Sequence, residues 1–171
     1  FSGRVFNGGL NYELNQSSGQ CLETIYAQNN NGSNGGIVYF NVAVGSQPVT
    51  LTGLSTNVEG AGGLNCNLIL RRAATTYFGK ETNSNLWTQV ATAAGTSSAV
   101  DTPSHFALSN FVTLNANTSY GFSLEMTTSG ASEGHAYTNG NGMNQVYADG
   151  EITITTGAAA NVPFTAPIFS P

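Results

Sequence analysis

Charge is what this chain has least of. Among 171 residues only Arg4, Arg71, Arg72 and Lys80 are basic, against nine acids. Four scattered cations cannot follow a phosphate backbone, so nucleic acid is not an expected partner. The net charge of −5 argues against adsorption to anionic membranes as well. No apolar run approaches the ~20 residues that cross a bilayer as a helix, so no membrane span is expected. Helical periodicity of convincing length is also missing. Cysteine is limited to Cys21 and Cys66, without CxxC spacing or a neighbouring histidine, so neither zinc nor any other cofactor is expected. In an oxidising compartment the two would form a Cys21–Cys66 disulfide, the alternative being two buried thiols. The bridge would close a loop of ~45 residues and contribute ~3–4 kcal/mol in the chain-entropy model.

Catalytic groups are equally scarce. The only histidines are His105 and His135, and no GxSxG elbow accompanies them. Lys80 follows Gly79 but precedes Glu81, which is not a phosphate-cradling GK[ST] loop. Glu133 and His135 lie two apart in a Gly/Ser-rich loop and read better as exposed loop residues than as a proton-transfer pair. Asp149 and Glu151 share a face if extended. With Asn139, Asn141 and Asn144 nearby they suggest a glycosidic carboxylate pair or a calcium site, and solvated edge charges are the plainer alternative. No catalytic residue and no metal ligand is assigned, and an enzyme is not expected.

What the chain does have is short strands separated by turn chemistry. Apolar or alternating segments such as GIVYFNVAV, VTLTGLSTNV, LNCNLILRR, HFALSNFVTL, SYGFSLEM and EITITT are divided by clusters such as NNNGSNGG, GSQP, EGAGG and NGNGMNQ. About ten strands at this spacing predict an all-β fold, a single jelly-roll-like β-sandwich, in a chain whose length suits one domain. VTLTGLSTNV switches its inward parity partway, which predicts a bulge near Gly53. EITITT turns Ile152 and Ile154 inward, and Trp87 is expected in the core rather than on a sugar-stacking face.

The first fourteen residues are unusual for a chain start, where fraying is common. Phe6, Gly8, Leu10, Tyr12 and Leu14 fall on one parity of FSGRVFNGGLNYEL, opposite Asn7, Asn11 and Glu13, which is the pattern of a half-buried strand. The segment 1–14 is therefore a candidate donor strand beside a sandwich domain at 15–171. If the protein is secreted, Phe1 is expected to be a processed mature start.

The stretch from Gly35 to about Gly157 resembles the extracellular β-sandwich modules of bacterial surface and exosortase-sorted (PEP-CTERM-type) proteins. The shared run is GGIVYFNVAV, VTLTGLSTNV, a strand with Arg71-Arg72, LWTQVATAAG, FVTLNANTSYGFSLEM, YTNG and DGEITITTG. The resemblance implies a non-catalytic extracellular or cell-surface module with a structural or adhesive role. In such modules a segment like RVFNGGLNYE tends to follow the DGEITITTG-like strand, whereas here it stands at the opposite end. The chain finishes instead as AAANVPFTAPIFSP, whose prolines cannot donate to a central ladder.

Two arrangements fit. Either the strand returns to its own sheet, as in a circular permutation, or it completes the sheet of another copy by strand complementation. In the second, Phe6, Gly8, Leu10, Tyr12 and Leu14 form a subunit interface and the chain is a homopolymer, a subunit of an extracellular filament or matrix fibre. A carbohydrate-binding module is the alternative. Glycan would then stack on tyrosines, with Tyr137 and Tyr147 flanking NGNGMNQ as the rings to test.

Overall fold

The computed structural model describes residues 4–14, 19–32, 34–127 and 134–169. Its strands are β1 (Arg4–Phe6), β2 (Gly8–Leu14), β3 (Gln20–Glu23), β4 (Asn30–Asn31), β5 (Ile37–Val44), β6 (Val49–Thr56) and β7 (Asn65–Ala74), then β8 (Thr88–Thr96), β9 (Ser104–Leu114), β10 (Ser119–Met126), β11 (Ala136–Asn139), β12 (Val146–Ala148) and β13 (Ile152–Ala160). Ten of them hydrogen-bond in the order β12-β13-β5-β10-β7-β8-β9-β6-β2-β3, and a second, three-stranded sheet has the order β1-β11-β4. The large sheet folds over on itself at β8–β9, where only Ala93 and Leu108 are in register. The result is a nearly closed β-sandwich, with β12-β13-β5-β10-β7-β8 as one layer and β9-β6-β2-β3 as the other.

Alternation builds the interior. Phe40, Val42, Leu68, Leu70, Phe122, Leu124, Ile152 and Ile154 face Leu10, Tyr12, Leu51, Leu54, Phe106 and Leu114 across one core. The inward isoleucines of β13 and the bulge near Gly53 are as the sequence predicts. Gly53 pairs Asn11 and Ala107, and the register shifts between Leu51 and Gly53 against both neighbours.

β5 is apolar on both faces because both are covered. Behind it, Ile37, Tyr39, Ala73, Tyr77, Trp87, Ala158 and Ala160 form a second cluster, closed by Phe164 and Ile168 of the C-terminal tail. Trp87 is buried there and its indole N–H donates to the Lys80 carbonyl at 3.0 Å. The proline-containing tail touches the ladder at one point, a bridge between Phe169 and Ala159.

The Cys21–Cys66 disulfide is absent. Cys21 sits exposed on the outer face of β3, whereas Cys66 is buried in β7 and points into the core. Opposite orientations on strands of different layers leave the two thiols nothing to bridge.

Candidate functional site: the N-terminal strand and its slot

β2 is an interior strand, although it begins eight residues into the chain. It pairs with β6 from Gly8↔Thr56 to Leu14↔Val49, and with β3 from Gly9↔Glu23 to Tyr12↔Gln20. Phe6, Gly8, Leu10 and Tyr12 are buried and Leu14 is half-buried, all against the chain's own sheets. Within one chain, then, residues 4–14 are an integral part of the sandwich and not a unit separate from residues 15–171.

The segment changes sheets at Asn7, and polar side chains satisfy the backbone at that step. The Thr24 hydroxyl donates to the Phe6 carbonyl at 2.6 Å and accepts from the Gly8 N–H at 2.8 Å. Asn7 Oδ1 accepts from the Thr138 N–H at 3.1 Å, and the Asn7 carbonyl accepts from the Asn57 N–H at 2.8 Å. β1 then pairs with β11, Arg4 opposite Asn139 and Phe6 opposite Tyr137. The Arg4 guanidinium bonds Asn139 and lies 5.4 Å from the Tyr137 ring centroid and 5.3 Å from that of Phe169. Both described ends of the chain therefore meet at one place.

Glycine is required where the strand enters its slot. A Cβ on Gly8 would lie 2.5 Å from the Ser55 carbonyl oxygen and 2.1 Å from the tip of the Phe6 ring. That ring stacks on Phe40 at 4.5 Å, and Phe40 stacks on Phe122 at 5.8 Å. At the far end of β2 the Tyr12 hydroxyl donates to Asp149 Oδ2 at 2.7 Å, fastening β2 to the turn between β12 and β13 across the open seam of the sandwich. Burial pushes the Tyr12 hydroxyl's pKa up, and the Asp149 carboxylate adds to the shift. Burial alone would raise Asp149. The bonds from Tyr12 and from the Ile152 and Glu151 N–H groups outweigh it and hold the carboxyl below its usual range.

The other candidate residues take different places. Tyr137 is buried, with its hydroxyl donating to the Asn31 carbonyl at 3.1 Å, so its ring has no face for a sugar. Tyr147 is half-buried against the core and donates to the Asn144 carbonyl at 3.0 Å. Tyr26 is tied to Ser55 at 2.7 Å, and Tyr39 and Tyr77 are buried in the second cluster. Asp149 accepts from the turn backbone with Oδ1 and from Tyr12 with Oδ2. Among the described residues no three His, Cys, Asp or Glu side chains converge as a metal group. Glu133 lies outside the described residues. Its neighbour His135 is buried in the core, not exposed in a loop, with Nδ1 3.2 Å from the Thr56 hydroxyl and Nε2 without a hydrogen-bond partner. Burial lowers its pKa to about 4, against a smaller opposing pull from the Leu124 carbonyl.

Sequence reasoning missed the Asn7–Thr24–Thr138 junction and the Tyr12–Asp149 seam. Their members lie 17 to 137 positions apart, and nothing local marks them. No protein-family model matches the chain, and no curated protein matches it.

Proposed function

We propose that this protein is a non-catalytic structural subunit of an extracellular filament or matrix fibre, in which residues 4–14 of one copy occupy in the next copy the slot they fill in their own. The observation that carries this reading is the place of β2. It is an interior strand, bonded on both edges, to β6 on one side and β3 on the other. Every register and side-chain bond it makes is available in the same form to the N-terminal segment of another copy. The exchange then costs no contact and gains a link between copies. Repeated head to tail, it gives an open chain of subunits rather than a closed ring.

The chemistry of the polar groups supports a structural role. His135 is sealed inside the sandwich, where no substrate reaches it. Asp149 serves as a turn cap and seam fastener. The scarcity of charge keeps repulsion between stacked copies low, and a surface of Asn, Thr, Ser and Gly suits an extracellular setting. The resemblance to bacterial surface modules points the same way.

Electron microscopy of the purified chain, with and without residues 1–14, tests the proposal. Filaments from the full chain and none after deletion are expected. Filaments that survive the deletion would remove the donor role.

A further inference from the structure

Cations are scarce in this chain, and two of the four come together at one end of the sandwich. On β7 the inward parity runs Leu68, Leu70, Arg72, and on β10, in register beside it, Leu124, Phe122, Tyr120. The core therefore ends on a guanidinium, which lies over the Tyr120 ring at 5.2 Å. A groove of about 390 Å3 opens there, lined by Arg72, Ala73, Ala74, Leu86, Thr88 and Tyr120. Lys80 stands behind its wall and donates from Nζ to the Ala74 carbonyl at 3.2 Å. Arg72 is half-buried, yet among the described residues no carboxylate pairs with it. Its one hydrogen bond among them is a long one, 3.4 Å, to the Thr113 carbonyl. A guanidinium has five N–H donors, so most of the fork is unspent. Neighbouring charges do not compensate it. Arg71, on the opposite face, pairs with Glu125 and lies over the Phe164 ring. Glu81 is buried against the second cluster, where its carbonyl accepts from the Tyr39 hydroxyl. Asp149 and Glu151 belong to the β12–β13 turn, and β5 and β10 stand between β13 and β7.

We propose that this groove is a binding site for a uronic acid unit of an acidic polysaccharide, with the sugar carboxylate on the Arg72 fork. A half-buried guanidinium without an anion is the group that rewards one, because its planar fork matches a carboxylate with two parallel bonds. In a chain of net charge −5, this is also a place where an anion meets cations and no acid in the lining. The rest of the lining suits a sugar ring. Thr88 brings a hydroxyl and Thr113 a carbonyl for the ring hydroxyls, while the exposed Leu86 and Ala74 give apolar surface for its C–H face. The volume is that of a small-ligand site. A peptide carboxylate fits less well. Extended peptides are held by main-chain bonds to a free strand edge, and β7, β8 and β10 are each paired on both sides. Nucleic acid needs a longer run of cations than this end supplies. The site shares no residue with positions 4–14, so it stands apart from strand exchange.

Equilibrium dialysis of the full chain against labelled tri-galacturonate tests it, since dialysis reads binding to single and assembled chains alike. Saturable binding with a Kd of about 1 mM or below is expected, weakening as salt is raised. The methyl ester, with the same rings and no charge, should bind about tenfold or more weaker, and so should an acetylated and amidated Ala-Glu-Ala peptide. Arg72→Gln and Arg72→Lys should each raise the Kd about tenfold or more, because lysine keeps the charge but not the fork. Leu86→Asp, on the exposed lip, sets a negative charge over the groove and should weaken binding comparably. It disturbs no buried side chain, so it is decisive even if the Arg72 variants do not fold. Met143→Asp, on the exposed loop between β11 and β12, should leave binding unchanged. No saturable binding up to about 10 mM sugar, an ester that binds as the acid does, or a Leu86→Asp variant that binds as the parent does would overturn the assignment. A peptide that binds as tightly as the sugar would overturn the glycan class.

Discussion

Replacing Gly8 by alanine puts a single methyl group into the narrowest part of the N-terminal slot. The new Cβ would stand 2.5 Å from the Ser55 carbonyl oxygen, which belongs to the β6 backbone and has little room to retreat. It would also stand 2.1 Å from the Phe6 ring, which must swing away and loosen its 4.5 Å stack on Phe40. Overpacking of this kind costs roughly 1–3 kcal/mol, and a disturbed aromatic pair adds about 0.5–1.5 kcal/mol. The expected loss is therefore about 2–4 kcal/mol. In urea, with a slope of about 1–3 kcal/mol per molar, the midpoint should fall by roughly 1–2 M without a change of slope. Amide exchange should accelerate first in β1 and β2, which lose their seat before the opposite layer does. Gly19→Ala is the control, because nothing lies within 4 Å of its added Cβ. A Gly8→Ala midpoint within about 0.3 M of the parent would refute the close approach and with it the fit of strand to slot.

Three further outcomes follow from particular side chains. His135 is neutral in the fold, with its pKa lowered from 6.5 to about 4, so it contributes stability above pH 6.5 that is lost as the pH falls toward 4. Urea melts at pH 7 and pH 4.5 should differ by about 2–3 kcal/mol, and His135→Phe should remove most of that difference; an equal acid loss in the variant would exonerate the imidazole. Tyr12→Phe unfastens the seam from Asp149 and should cost about 1 kcal/mol, with the exposed carboxylate resolvating. Its companion sign is that Asp149, held below its usual range in the parent, contributes stability that fades as the pH falls below ordinary carboxyl values, and this part should shrink in Tyr12→Phe, where only the backbone N–H groups of the turn still hold the carboxylate, when the two are titrated side by side. A thiol reagent should label Cys21 in the native chain and Cys66 only after unfolding; a mass two hydrogens lower with neither labelled would restore the bridge.

The strands were legible because alternation is a local property. Ile152 and Ile154, the parity switch at Gly53 and the inward side of residues 6–14 each follow from side-chain period alone. The burial of β5 on both faces was not read from its sequence, since Tyr77, Trp87 and Phe164, which cover the second face, come from loops far along the chain. Pairing was not legible. Residues 4–14 show a good strand without naming its neighbours, and β3, β6 and β11 are fixed by registers no local pattern encodes. The tyrosines illustrate the same limit: Tyr137 flanks an Asn-rich loop in sequence, yet its strand turns the ring inward under Arg4. The cysteines misled for a related reason, because the parity of Cys21 on β3 and of Cys66 on β7 decides whether two thiols can meet.

The central claim, that residues 4–14 pass from one copy to the next, is tested most directly by cross-linking within a known register. Glu13 and Thr50 are paired on β2 and β6, close enough for a disulfide between substituted cysteines. Glu13→Cys and Thr50→Cys, each made with Cys21→Ser, are mixed as separate chains, assembled and oxidised. A covalent dimer joining one variant to the other is the predicted product. If the mixture yields no such dimer, while a single chain bearing both substitutions closes its bridge internally, the strand stays at home and the account is contradicted.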